Sequence, residues 1–288
     1  MFADSRLIAA HVVAKVLVTL NPNLLPPHLR LEAMRPLVLL CKESSASYLM
    51  QFEALLALTN ILSVGTEEQD HFVHDKGIDS TYYLMFSDNI MIRRAAVEAL
   101  CNMAGNKDFL QLLSDASKLK LWLGLCEEWD IDVDVDLSND KNFDAAPHYF
   151  AARAAVGTLA MACEDLHVAT SMISDEADCA KALISILNSN QPELVIRALV
   201  VLQKLTGTYG FDEENITYLM KEYKQGTRKY STEDVKKINE ILASWEKAKS
   251  LREAAVKYIV RCEVVNAFQA VAVLGTYTTL SFTICKLN

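Results

Sequence analysis

The chain has 288 residues, of which 51% are hydrophobic, with only nine glycines and six prolines. That supply of apolar residues is enough to bury a large core, as two globular domains or one solenoid. The net charge of -9 argues against a nucleic-acid partner, because phosphate binding needs concentrated Lys and Arg, and fits a basic protein partner.

The first twenty residues, MFADSRLIAAHVVAKVLVTL, look superficially like a secretory signal. Asp4 and Lys15 interrupt the pattern, so an amphipathic helix is predicted. Asn21-Pro22 and Pro26-Pro27 break it. A helix follows at RPLVLLCKE (35–43), then a short alanine-rich helix, FEALLALTN (52–60). After Gly65 and Gly77, STYYLMF (80–86) predicts another helix, and RAAVEALCN (94–102) repeats the alanine-rich one. Ala54, Leu58 and Asn60 map onto Ala96, Leu100 and Asn102 with one shift of 42 residues.

Further helices are predicted at LKLWLGLCEE (119–128) and CAKALISILNS (179–189). Val13, Leu58, Leu100, Leu159 and Leu202 occupy one buried position of successive repeats, at spacings of 45, 42, 59 and 43. The long interval holds an acidic insertion (about 129–148). A period near 42 is that of armadillo or HEAT units. No segment alternates with a period of two, so no sheet is expected. The predicted fold is all-α: an armadillo/HEAT-like right-handed superhelical solenoid over residues 1–260, followed by an atypical apolar tail, 261–288.

The insertion sets Asp130, Asp132, Asp134 and Asp136 alternately with apolar residues. A calcium loop starting at Asp130 needs Gly at its sixth place and Glu at its twelfth; Val135 and Lys141 stand there. A solvated acidic loop is the expectation. Residues 264–285 carry no charge, a length that could span a bilayer, but Asn266, Gln269, Gly275 and several threonines dilute the run. A buried or capping helix is expected there.

Enzyme chemistry finds no footing. The six histidines form no HExxH, His71-x-x-His74 alone is a weak metal signal, and GxSxG and phosphate-binding loops are absent. The seven cysteines are scattered and without a CxxC pair, as in reduced cytosolic proteins. A non-enzymatic, cytoplasmic binding protein without metal or cofactor is predicted.

Binding is assigned to the outer side of the alanine-rich helices. At about 100° per residue, Ala54, Leu55, Leu58, Ile61 and Leu62 share one side. Asn60 lies nearly opposite Leu58, joined by Glu53, Leu56 and, more loosely, Phe52. In the second copy Asn102, Glu98 and, near the edge, Arg94 point outward. An Asn amide carries both donors and an acceptor, and so can pair with the backbone of an extended peptide. Alternatively, Asn60 and Asn102 cap helix ends or bond adjacent loops. Arg93 and Arg94 either meet an acidic partner loop or pack their stems and pair locally. The predicted partner groove is therefore Phe52, Glu53, Leu56, Asn60, Arg93, Arg94, Glu98 and Asn102. The positions equivalent to Asn60 elsewhere are Lys15, Met161 and Lys204.

These residues resemble those of the UCS-domain myosin chaperones. The likeness rests on AAHVVAK (9–15), RPLVLL (35–40), FEALLALTN, MFSDNIMIRRAAVEALCNM (85–103), KLKLWLGLCEE (118–128), GTLAM (157–161) and SNQPELVIRALVVL (189–202). It covers about residues 5 to 260. It implies an armadillo superhelix holding a myosin motor domain, or an unfolded part of one, to promote its folding or assembly in muscle. By likeness, Phe52 and Asn60 fall on the family's substrate canyon, and Glu98 positions the Arg pair or meets the client. A heat-shock chaperone is the implied second partner. The tetratricopeptide module that docks it in full-length animal members does not occur in this sequence. The insertion after Trp129 and the tail after about Arg261 also depart from the family pattern, as expected of a short product or an isolated C-terminal domain. The competing expectation is a generic armadillo adaptor; membrane attachment is not expected.

Overall fold

The computed structural model describes residues 2–129, 146–225 and 230–273. Among them, fifteen α-helices and one 3-10 turn form the secondary structure, and there is no strand. The chain divides into two compact units: residues 1–113 with 121–161, and residues 114–120 with 162–288.

The first unit begins with α1 (Phe2–Thr19), a 3-10 turn at Pro22–Leu24 and α2 (Pro27–Lys42). Then come α3 (Tyr48–Leu62), α4 (Thr66–His74), α5 (Gly77–Leu84) and α6 (Ile90–Cys101). It continues with α7 (Lys107–Leu113), most of α8 (Ala116–Glu127) and α9 (Pro147–Ala162). Helix α3 packs against both α1 and α6, so the alanine-rich helices of successive repeats lie side by side. Alanines 54, 57, 95, 96 and 99 are buried at these contacts, where a small side chain lets backbones approach.

Polar side chains set the helix starts. Ser47 accepts from the Met50 N–H at α3, and Asn89 accepts from the N–H groups of Met91 and Ile92 at α6. Pro27 and Pro192 open α2 and α12, where the missing N–H costs nothing. Lys76 and Asp178 adopt left-handed backbone (φ 58° and 57°) just ahead of α5 and α11, the same device in two repeats. Gly77 follows Lys76 because a Cβ there would stand 2.1 Å from the Phe72 ring, which is fully buried.

In the second unit, α10 (Leu166–Met172), α11 (Cys179–Leu187) and α12 (Pro192–Leu205) repeat the short–medium–long pattern. Helices α13 (Glu213–Gln225), α14 (Thr232–Arg261) and α15 (Val264–Val273) follow. Ser231 and Asp234 form a capping box at the start of α14. The Ala180 N–H, at the buried start of α11, donates to the Tyr258 hydroxyl of α14 (3.0 Å).

Four of the five predicted buried positions hold: Leu58, Leu100, Leu159 and Leu202 are all buried. The fifth is displaced. In α1 the buried ridge is Leu7, Ala10, Ala14 and Leu17, and Val13 is only half-buried, so Ala14 takes the place expected for Val13. Helix α2 starts eight residues before the predicted Arg35 and runs through Pro36, carried by its buried ridge from Met34 to Cys41. The acidic aspartates of the insertion, and the uncharged tail beyond Val273, lie outside the described residues. No described helix is long and apolar enough to cross a membrane.

No disulfide joins the described cysteines. Burial pushes the Cys41 and Cys163 thiols up to about 12, which leaves them protonated and unreactive at neutral pH.

Candidate functional site: the outer side of the alanine-rich helices

The α3 side chains divide as their spacing predicts. Ala54, Leu55, Leu58, Ile61 and Leu62 are buried, and Phe52, Glu53, Leu56 and Asn60 are half-buried on the outer stripe. On α6 and its C-cap, Arg93, Glu98 and Asn102 are likewise half-buried. Helices α3 and α6 pack side by side, and Glu98 and Asn102 repeat the positions of Leu56 and Asn60, whereas Arg93 stands about 140° around α6 from Glu98, off this stripe.

The amides of Asn60 and Asn102 neither enter the core nor point to opposite flanks. Each reaches back to the preceding repeat. Asn60 Nδ2 donates to the carbonyls of Leu17 (3.0 Å) and Val18 (3.2 Å), and Asn102 Nδ2 donates to that of Thr59 (2.9 Å). The bonded carbonyls belong to the last turns of α1 and α3, where C=O groups run short of intrahelical partners, although that of Thr59 also accepts from the Ser63 N–H (3.3 Å). Gln69 adds a bridge, its Nε2 donating to Leu62 O (3.3 Å) and Asn102 O (2.8 Å). Two-sided pairing of Asn60 with a peptide backbone is thereby corrected. Both hydrogens of its amide are committed inside the protein, and only Oδ1 remains for an occupant. Asn102 keeps one N–H and its Oδ1.

The Arg pair also divides. Arg94 is 2% exposed, with its Nε 3.6 Å from Glu98 Oε1 one turn along the helix. It is a structural residue, and its assignment to the partner surface is corrected: a side chain so fully buried presents nothing to an occupant of the stripe. Arg93 stays at the surface, 3.9 Å from Glu128 Oε2. Glu53 has a partner that the repeat alignment missed, since His11 Nε2 of α1 bonds its Oε2. The available signal was their separation of 42 residues, one repeat.

Of the predicted equivalents of Asn60, Lys15 and Met161 are exposed, and Lys204 pairs with Glu164 (2.8 Å). None reproduces an amide. His71 and His74 both approach Asp75, at 3.7 Å and 3.4 Å, but no group among the described residues could hold a metal ion.

Asn60→Ala and Asn102→Ala are each expected to cost about 0.5–1.5 kcal/mol, the net value of ordinary hydrogen bonds between neighbouring helices. Urea unfolding followed by circular dichroism reads this. An unchanged midpoint for both variants would remove the inter-repeat role.

The outer stripe can therefore offer an aromatic ring at Phe52, an aliphatic one-turn neighbour at Leu56, carboxylates at Glu53 and Glu98 and amide oxygens at fixed intervals. That mixture suits a polypeptide with apolar and charged residues. Among the described residues of the stripe there is no nucleophile–base pair.

Comparison with known proteins agrees with this architecture. The chain is 34% identical to Protein unc-45 homolog B of Xenopus tropicalis over 156 residues, 53% of this chain and 15% of that protein. It thus spans only a small part of the curated relatives it matches. An UNC-45 chaperone whose solved structure concerns the binding and folding of muscle myosin superposes with a TM-score of 0.59 at 17% identity. That superposition covers 90% of this chain and 26% of that one. A designed armadillo repeat protein superposes with a TM-score of 0.54 at 17% identity, covering 86% and 92% of the two chains. No family model matches. The all-α armadillo-type fold and the resemblance to the UCS-domain chaperones both stand on these likenesses.

Proposed function

We propose that this chain is the client-holding armadillo region of a UCS-type myosin chaperone, and that it grips part of the myosin motor domain along the outer stripe of α3 and α6. The observation that carries the reading is the stripe itself. Phe52 and Leu56 are apolar side chains that the core leaves half-exposed, accompanied by Glu53 and Glu98, in a protein related to unc-45 homolog B. A monomeric protein gains little from holding a Phe at its surface, whereas a polypeptide laid across α3 covers it.

The mechanism is differential binding. Exposed or partly folded motor segments are held on the stripe, which lowers their free concentration and so slows aggregation while folding proceeds. Phe52 and Leu56 supply apolar contact, the two glutamates select for charge, and Oδ1 of Asn60 accepts a backbone N–H. Arg94 and the inner alanines keep α6 in place beneath. A heat-shock chaperone acts as a second partner of the complex, in the cytoplasm.

The test is light scattering of a heat-stressed myosin motor domain with and without this chain. Wild-type chain is expected to suppress aggregation in proportion to its concentration. Phe52→Ala is expected to weaken that protection about tenfold, the loss of roughly 1.4 kcal/mol of binding, while its unfolding midpoint stays near wild type. If Phe52→Ala protects as well as wild type, the stripe is not the grip. If the chain ignores the motor but captures unrelated extended peptides, it is a general armadillo adaptor instead.

A further inference from the structure

A second surface of the first unit has a different character. A cleft of about 740 Å³ opens between α1, α2 and the turn joining α4 to α5. Four cations line it: Arg6, Arg35, Lys42 and Lys76. The only carboxylate in the lining is Asp75, and it sits beside His71 and His74. This concentration occurs in a chain whose net charge is -9.

Lys42 is occupied, its Nζ donating to the Asp75 carbonyl at 2.7 Å, which ties the end of α2 to the turn. Arg6, Arg35 and Lys76 are exposed, and among the described residues none of the three side chains has an ion-pair or hydrogen-bond partner. Three long cations that converge on one concavity repel each other, and the arrangement costs stability unless an anion shares it. The floor between them is apolar, made by Ala9, Val13 and Leu39.

We propose that this cleft is a docking site for an acidic polypeptide segment, one in which Asp or Glu alternates with aliphatic residues. Carboxylates meet Arg6, Arg35 and Lys76, and the intervening side chains lie on the apolar floor. Arginine suits this role because its planar fork takes a carboxylate through two parallel bonds. A nucleic acid fits poorly: no Phe, Tyr or Trp lines the cleft to stack a base, and the overall negative charge opposes a dense polyanion. A concave cleft with an apolar floor also fits a peptide better than a flat lipid headgroup layer. On α1, Arg6, Ala9 and Val13 lie roughly opposite His11, which faces Glu53 of the stripe. The cleft and the stripe are therefore separate surfaces, and the chain can hold two polypeptides at once.

The experiment uses the full chain and a fluorescein-labelled peptide alternating Glu with Leu, read by anisotropy. Binding is expected, and it is expected to weaken steeply as salt is raised. The double variant Arg35→Glu/Lys76→Glu is expected to bind at least about tenfold more weakly, with an unchanged circular dichroism spectrum. Arg6→Glu, made separately, is expected to weaken binding in the same direction. Phe52→Ala is expected to leave it unchanged, so failure here is distinguishable from failure of the stripe. The proposal is overturned if wild type does not bind the peptide or if the charge reversals leave binding intact. It is equally overturned if oligouridylate or phosphatidylserine vesicles bind the chain in preference to the peptide.

Discussion

Replacing Trp122 by alanine is expected to destabilise the first unit by about 3–5 kcal/mol, the usual range for emptying a large aromatic site in a core. Trp122 is fully buried on α8. Its ring meets the Phe109 ring of α7 edge to face, with centroids 5.6 Å apart and planes at 71°. Its Nε1–H donates to the Ala155 carbonyl of α9 at 3.0 Å. One side chain therefore joins three helices, by area, by ring geometry and by a buried hydrogen bond. Trp122→Phe keeps most of the apolar contact and loses the bond, so a smaller cost of about 1–3 kcal/mol is expected. Urea unfolding of the two variants separates the contributions. If Trp122→Ala unfolds within about 1 kcal/mol of wild type, the site collapses far more easily than its burial indicates.

Leu58→Ala is the second large effect, with an expected loss of about 2–5 kcal/mol. Leu58 is fully buried on α3, the helix that packs against α1, α2 and α6. Removing its isobutyl group opens a cavity that several rigid neighbours border. The contrast with Phe52 is the informative one, because the two residues stand about 120° apart on the same helix, Leu58 buried and Phe52 half-buried. Leu58→Ala is expected to lower both stability and client holding, since α3 carries the stripe. Phe52→Ala is expected to lower holding alone. Equal losses of stability in both variants would mean that α3 has no functional outer side, and the proposed grip on myosin would go with it.

The repeat was legible because small and large residues recur where helices cross. FEALLALTN and RAAVEALCN place alanine and leucine at matched positions, and those residues are the buried ones. Three short helices were not legible. Helix α4, TEEQDHFVH, buries one apolar side chain, Phe72, and α7 and α10 have seven residues each. Seven residues show less than two full periods, and the nine of α4 carry a single buried apolar marker, so none of these patterns rises above a loop. The register of α1 was misread by one residue because an outer helix is buried on fewer sides, and Ala14 is a weaker marker than Val13.

The site was half legible. Periodicity put Phe52, Glu53, Leu56 and Asn60 on the outer stripe, where they stand. It could not tell where an amide points, because the acceptors of Asn60 are the backbone oxygens of Leu17 and Val18 and carry no side-chain signature. Nor could it tell that Arg94 turns inward, because a long aliphatic stem at the edge of a helix face can go either way. The cationic cleft draws on residues from 6 to 76, and no short motif contains it.

The amide links have an implication for how such a protein tolerates sequence drift. Their acceptors are main-chain oxygens, present whichever residue stands at positions 17, 18 or 59. A unit that brings one carboxamide at the end of its third helix can be clipped onto almost any helical terminus of matching geometry. Duplicated or exchanged units would thus seat themselves without needing matched partners to change in step, which leaves the outward-facing residues free to diversify.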